Sequence, residues 1–256
     1  SLLGDGSFSN GNFGFSNAEK DIVSKVDQKL NDIGYKLIYL HNYDYKIQHI
    51  ESCQHNQFTV TPENSLREVL KVYGLLTQSY NKHIPKQYLY ASFNTRLELL
   101  RGLFDTDGYI DKCNCYIYST SSKQLSEDFE FLVRSLGIVD TVTIKQASYK
   151  VDDSIVRNTR LHYYHTLKVP NDLIIVTSKK HLSRRKLKQN EPIRSIKSIE
   201  YVGRQECQCI YVESEKHTYI TDNVTPTHNT TCARAFAREI NKGKGNPIEI
   251  DAASNN

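Results

Sequence analysis

Two aspartates sit in matching settings along this chain. Asp5 ends the stretch Leu2-Leu3-Gly4-Asp5-Gly6-Ser7, and Asp107 ends Leu100-Arg101-Gly102-Leu103-Phe104-Asp105-Thr106-Asp107-Gly108. Each stretch reads as the end of a helix whose small residues permit close packing and whose last carboxylate faces outward. Two such helices packed together place Asp5 and Asp107 side by side. Adjacent carboxylates repel unless a cation lies between them, and hard oxygen ligands suit Mg2+. The chemistry open to such a pair is metal-assisted hydrolysis, in which the cation activates water and stabilises a departing oxygen. Asp105 reads as a local packing or capping residue rather than a ligand.

His228-Asn229-Thr230 carries a different chemistry. An asparagine amide can attack its own carbonyl carbon, closing a succinimide and breaking the peptide bond that follows. A neighbouring histidine speeds this by polarising the carbonyl or protonating the leaving amine. A hydroxyl on the next residue can first accept an acyl group as nucleophile. The tripeptide supplies all three roles in order.

The elements that would position the two aspartates repeat. After Asp5 come Phe13-Gly14-Phe15-Ser16, Lys20 and Ile33-Gly34; after Asp107 come Tyr116-Ile117-Tyr118-Ser119, Lys123 and Leu136-Gly137. The offset is 103 residues for Ser16/Ser119, Lys20/Lys123 and Gly34/Gly137, and 102 for Asp5/Asp107. Solenoid periods run roughly 20–50 residues, so this is a duplicated half-domain with a pseudo-twofold axis through the motif helices. Hydrophobic spacing predicts a helix over 17–33, strands near 36–41, 45–50 and 57–61, and a helix introduced by Pro62-Glu63-Asn64-Ser65 and running through about Leu76. In the second half it predicts a motif helix to Phe104, strands near 109–119, a helix at about 122–136 and strands near 139–147 and 160–169. Each half is αββαββα-like. The fold class is α+β, with curved antiparallel sheets beneath two central helices. After about residue 190 the chain turns β-rich, with short strands expected at 193–202, 207–212 and 218–221. The sharpest boundary falls at Asn229/Thr230, beyond which a helix over 231–240 and a strand at 247–250 follow.

Net charge is only +4 over 256 residues, so basicity alone does not announce a nucleic-acid binder. No apolar run approaches the ~18 residues of a membrane span and no signal peptide opens the chain, which predicts a cytoplasmic protein without a membrane partner. The six cysteines include two C-x-C pairs, which are not zinc-knuckle spacing; buried, reduced thiols on strands are expected.

The paired helix motifs resemble those of the LAGLIDADG homing endonucleases, which cut double-stranded DNA with metals held at that helix pair. Cys207-Gln208-Cys209-Ile210-Tyr211-Val212, His217-Thr218-Tyr219-Ile220-Thr221-Asp222-Asn223 and Pro226-Thr227-His228-Asn229 resemble the C-terminal blocks of inteins. Such an endonuclease lodged between two halves of a splicing (Hint-type) domain is a common intein architecture. Lys82-His83-Ile84-Pro85 matches the intein endonuclease pattern and implies that Lys82 lies near the cleavage centre, screening charge on the phosphate. The resemblance implies catalytic Asp5, Asp107 and Lys82, Mg2+ held by Asp5 and Asp107, and splicing roles for Cys209, His217, His228, Asn229 and Thr230. Cys209 stands where many inteins carry Asp; it either helps cleave the junction or is a buried strand residue. The acid-free run of Lys179, Lys180, Arg184, Arg185, Lys186 and Lys188 reads either as a solvated face or as a phosphate-neutralising patch, and a duplicated nuclease motif favours the second.

These motifs divide the chain into an endonuclease at 1–190 (repeats about 1–92 and 93–190), a splicing segment at 191–229 and a host fragment at 230–256. The host fragment, Thr230-Thr231-Cys232-Ala233-Arg234-Ala235-Phe236-Ala237 and Glu249-Ile250-Asp251-Ala252-Ala253-Ser254-Asn255, resembles a P-loop ATPase just after its lysine, of the clamp-loader gamma/tau type of bacterial DNA polymerase III. Expected partners are the duplex at the insertion site in the host gene, an N-terminal intein half, and clamp-loader subunits after splicing. With no N-terminal splicing blocks in this sequence, the chain by itself is expected not to splice. The rival reading is a splicing element whose nuclease has decayed into a DNA-binding or structural insert.

Overall fold

The computed structural model describes residues 1–8, 13–50, 66–152, 155–187, 198–201, 203, 206, 212–213, 217–221 and 224–228, with the backbone alone at 147–152, 155–159 and 228. The chain divides into two compact units, Ser1–Arg194 and Ser195–Asn256.

The first unit contains the same succession of elements twice. α1 (Leu2–Asp5), β1 (Gly6–Ser7), β2 (Gly14–Ser16), α2 (Lys20–Asn31), β3 (Tyr35–His41), β4 (Asp44–His49) and α3 (Leu66–Val72) form the first set. A 3-10 turn at Ser79–Asn81 and a short helix α4 (Lys86–Leu89) lead to the second. That set is α5 (Phe93–Asp107), β5 (Gly108–Ile110), β6 (Tyr116–Thr120), α6 (Lys123–Ser135), β7 (Val139–Asp152), β8 (Ile155–Lys168) and α7 (Lys179–Arg184). Both sheets are antiparallel and share one topology, in the orders β1-β2-β4-β3 and β5-β6-β8-β7. The mixed α+β architecture with antiparallel sheets is the one expected.

Local sequence explains the helices. In α2, Ile22, Val26 and Leu30 recur every fourth residue and are the buried face. In α6, Leu125, Phe129, Leu132 and Val133 do the same, and the Ser122 hydroxyl accepts the Leu125 N–H as N-cap. Both helices end in a left-handed glycine, Gly34 at φ 83° and Gly137 at φ 80°, where a side chain would be strained. Each set has its own core: Phe8, Phe15, Ile22, Val26, Leu30, Ile47 and Leu70 in the first, and a larger one around Leu100, Leu103, Phe104, Tyr118, Phe129, Leu132 and Ile138 in the second. Leu2 packs on the first core and Leu3 on the second, so α1 joins them. A buried polar chain fastens α6 to its sheet: Ser126 Oγ lies 2.9 Å from His165 Nε2, and His165 Nδ1 lies 2.7 Å from Asp140 Oδ2.

Several boundaries differ from expectation. The motif helix runs to Asp107 rather than Phe104, because the Gly108 N–H bonds to the Phe104 carbonyl and the Thr106 hydroxyl bonds back to Gly102 and Leu103. β7 and β8 extend to residues 152 and 155, far past the expected strand ends. There each strand satisfies the other's backbone groups, with bulges at Gln146/Ser148 and Lys150/Asp152. The helix expected to run through about Leu76 ends at Val72. Cys113 is exposed and Cys115 half-buried, in a turn rather than a strand, because Asp111 Oδ1 accepts the N–H groups of both. In the second unit, β9 (Thr218–Thr221) pairs with β10 (Thr225–His228). The strand expected at 57–61, that expected at 207–212 except for Val212, and the helix and strand beyond 230 lie outside the described residues, while residues 198–201 of the strand expected at 193–202 are not in a strand. Among the described residues no helix is long and apolar enough to cross a membrane.

Candidate functional site

α1 and α5 touch where their sequences are small. A Cβ at Gly4 would collide with the Thr106 side chain and the Asp107 carboxylate, and one at Gly102 would collide with the Ser1 backbone. This close approach brings the helix C-termini together and with them Asp5 and Asp107.

The electrostatics record how crowded the two acids are. Burial pushes the Asp107 carboxyl up to about 6, and the Asp5 carboxylate pushes it the same way against the pull of Lys82. Burial also raises Asp5, partly offset by the Asn17 amide, which donates to Asp5 Oδ2 at 2.5 Å, and by Lys82. Desolvation is the larger influence on both carboxyls, and it outweighs the pull of Lys82. Two carboxylates so placed fit a hard divalent cation. Among the described residues no group of three or more His, Cys, Asp or Glu gathers as a metal cage.

Lys82 stands at the same place. Its ammonium donates to the carbonyls of Gly4 at 2.6 Å and Gly6 at 3.0 Å, at the end of α1 where helix carbonyls are unpaired. Burial lowers its pKa, while Asp107 and Asp5 act to raise it. Its loop is pinned from α6: Ser122 Oγ donates to the Lys82 carbonyl, and the Ile84 N–H donates to buried Asp128. Asp5 and Lys82 line a cavity of about 360 Å³ with Ser16, Gln78 and Ser79.

Residues 94–184 match the LAGLIDADG-like domain. That family comprises DNA endonucleases that act on double-stranded DNA, and its members generally use divalent metals. The chain is also similar to the replicative DNA helicase DnaB of Mycobacterium intracellulare, 29% identical over 178 residues. The match covers 68% of this chain and 30% of that protein. The LAGLIDADG-like domain thus spans α5 to α7 and holds Asp107, while Asp5 belongs to the preceding set of elements.

The basic run is distributed in several directions. Lys180 pairs with Glu19 at 2.9 Å, the Lys179 N–H donates to Asp21, and Arg185 turns inward to the Asn171 carbonyl and the Tyr116 hydroxyl. Arg184 and Lys186 line a cavity of about 470 Å³ with Lys112 and Ser183; Lys188 lies outside the described residues. Asp105 is buried and accepts from Thr177 N and Oγ1 and from Ser178 N, with His181 Nδ1 at 3.3 Å. Burial alone would raise its carboxyl, but His181 and Thr177 outweigh that and hold it below the usual range. It tethers the start of α7 and is spent as a ligand.

In the second unit the His217 ring lies 2.9 Å from the Val212 carbonyl, and the His228 backbone pairs with Thr218. Cys209, Asn229 and Thr230 lie outside the described residues. The sequence reading missed Asn17, Ser122 and Asp128. Asn17 carried one signal: it sits two residues before the first residue of its helix cap, as Thr120 does before Ser122, and both side chains accept that N–H.

Proposed function

We propose that residues 1–190 are a site-specific homing endonuclease cutting duplex DNA by Mg2+-assisted hydrolysis, followed by the C-terminal splicing segment of an intein at 191–229. The observation that carries this is the convergence of Asp5, Asp107 and Lys82 at the ends of two helices in contact through glycine. Asp5 and Asp107 would hold the cation, which supplies activation of water and charge neutralisation on the departing oxygen. Lys82, fixed beside Asp5, places a positive charge where a phosphate would enter. Asn17 keeps Asp5 oriented. The LAGLIDADG-like match over 94–184 supports the second half of this site directly, and the repeated element order supports the first.

The splicing role rests on sequence: His228 assists cyclisation of Asn229, Thr230 accepts the acyl group, and His217 and Cys209 support the junction. The host at 230–256 reads as the P-loop of a clamp-loader gamma/tau subunit. Similarity to a replicative DNA helicase supports a replication protein as host without singling out the clamp loader. The chain spans about 30% of the length of that curated relative. Its surroundings would be the cytoplasm, where the host gene lies.

The deciding assay incubates the chain and its Asp107→Asn variant with Mg2+ and duplex DNA bearing the uninterrupted host P-loop sequence. A staggered cut at the insertion site, absent in the variant, is expected. Sequence-specific binding without cutting would replace this reading with a decayed nuclease.

A further inference from the structure

The lysine of the site is carried by a segment that the second set of elements grips on either side of it. Tyr80 lies two residues before Lys82, and its ring is half-buried. The Arg160 guanidinium lies over that ring, 3.5 Å from its centroid, in the stacked arrangement that arginine makes on an aromatic face. From α6, the Ser122 hydroxyl donates to the Lys82 carbonyl at 2.6 Å, and Asp128 accepts the Ile84 N–H at 2.8 Å. Lys82 is thus bracketed by Arg160 on the chain before it and by α6 at and after it. Between the two, its ammonium donates to the Gly4 and Gly6 carbonyls beside Asp5.

The Arg160 bracket has no counterpart in the first set. His165 faces Tyr118 across β8 and β6 as Tyr45 faces Phe15 across β4 and β2. Five residues before His165 the chain is still in β8 and carries Arg160, whereas β4 begins at Asp44, one residue before Tyr45. The added length of β8 is what brings an arginine to Tyr80. Arg160 is itself exposed, so its stack is an arm laid on the loop from outside rather than part of either core.

We propose that Arg160 is a positioning residue for Lys82: by clamping the Tyr80 ring it holds the lysine loop where the ammonium meets an incoming phosphate. A group displaced by about an ångström can cost on the order of a hundredfold in rate, and one partly exposed stack accounts for about threefold to tenfold of such a loss. What Lys82 does there rests on the nuclease reading above.

The test follows cleavage of an end-labelled host-site duplex with Mg2+, in single turnovers at saturating protein, and the salt dependence of binding. It compares the full chain with Arg160→Ala, Tyr80→Leu, the two combined, and Tyr80→Phe. Acetylation of the Lys82 amine by acetic anhydride without DNA, read by mass spectrometry against exposed Lys29, reports on the loop independently of cutting. Arg160→Ala and Tyr80→Leu each slow cutting of bound duplex by about threefold to tenfold, and the combined variant no further, because both remove one contact. Lys82 acetylation quickens by a similar factor in these variants. Tyr80→Phe, which keeps the ring, stays within about twofold of the full chain in both readings. Arg160→Ala could instead lose affinity and about one counterion of salt slope while bound duplex is cut, and Lys82 acetylated, at unchanged rates. That result overturns the proposal in favour of a direct phosphate contact. Additive slowing, or slowing by Tyr80→Leu alone, overturns it as well. A full chain that cuts no duplex sinks the nuclease reading by itself, and the acetylation rates then decide the hold on Lys82.

Discussion

Asp107 is held against its own preference for ionisation, and the consequence is testable. Its carboxyl, ordinarily near 3.8, is pushed up to about 6 by burial and by Asp5. A raised carboxyl favours the protonated folded state, so that contribution is complete at low pH and is lost as pH rises from about 4 through about 6. The loss is on the order of 2 kcal/mol after solvent screening is allowed for. Asp107→Asn is therefore expected to abolish DNA cleavage and to raise the melting temperature at neutral pH without metal, read by calorimetry. A destabilised Asp107→Asn would contradict the crowding described here. Divalent cations offset the same repulsion, so calorimetric Ca2+ affinity should fall as pH drops below about 6, where protons compete for the pair.

At the scale of elements, the site depends on two helices meeting through small residues and on α7 being tied beneath them. Gly4→Val forces α1 away from Thr106 and Asp107. Such overpacking destabilises by about 1–3 kcal/mol and should remove cleavage even where the chain stays folded, as judged by circular dichroism and the DNA-cleavage assay together. Asp105 accepts four hydrogen bonds or near contacts from Thr177, Ser178 and His181. Asp105→Ala leaves these buried donors unpaired, for an expected loss of roughly 2–4 kcal/mol measured by urea unfolding. Because its carboxyl is held low, the stability it gives is present above the ordinary carboxylate pKa and lost as pH falls below it. An unchanged midpoint for Asp105→Ala would show that α7 is anchored elsewhere.

Across the whole molecule, duplication is visible in topology but the halves have diverged. β7 and β8 pair over 139–152 and 155–168, whereas β3 and β4 pair only over 35–41 and 44–49. Arg160 on β8 stacks over Tyr80 at 3.5 Å, tying the longer hairpin to the segment that carries Lys82. Of the basic run, Arg184 and Lys186 are the pair that share one open cavity, whereas Arg185 is committed to internal partners. Replacing Arg184 and Lys186 by Ala should lower the salt slope of DNA binding by about two counterions, with sequence preference retained; an unaltered slope would place the phosphate contacts elsewhere. The sequence by itself determined the repeat, the two aspartates and the α+β class, because each is written in local spacing: a 3.6-residue period, a small residue before an acid, a glycine after a helix. It also placed both aspartates in similar settings, each at a helix end and before a glycine. Only the tertiary structure decided how they differ. Lys82 and Asp105 acquire their roles from atoms more than seventy residues away and Asn17 from one twelve away, and burial, which raises Asp107 while Asp105 is held down by its hydrogen bonds, is a property of packing that local spacing does not encode.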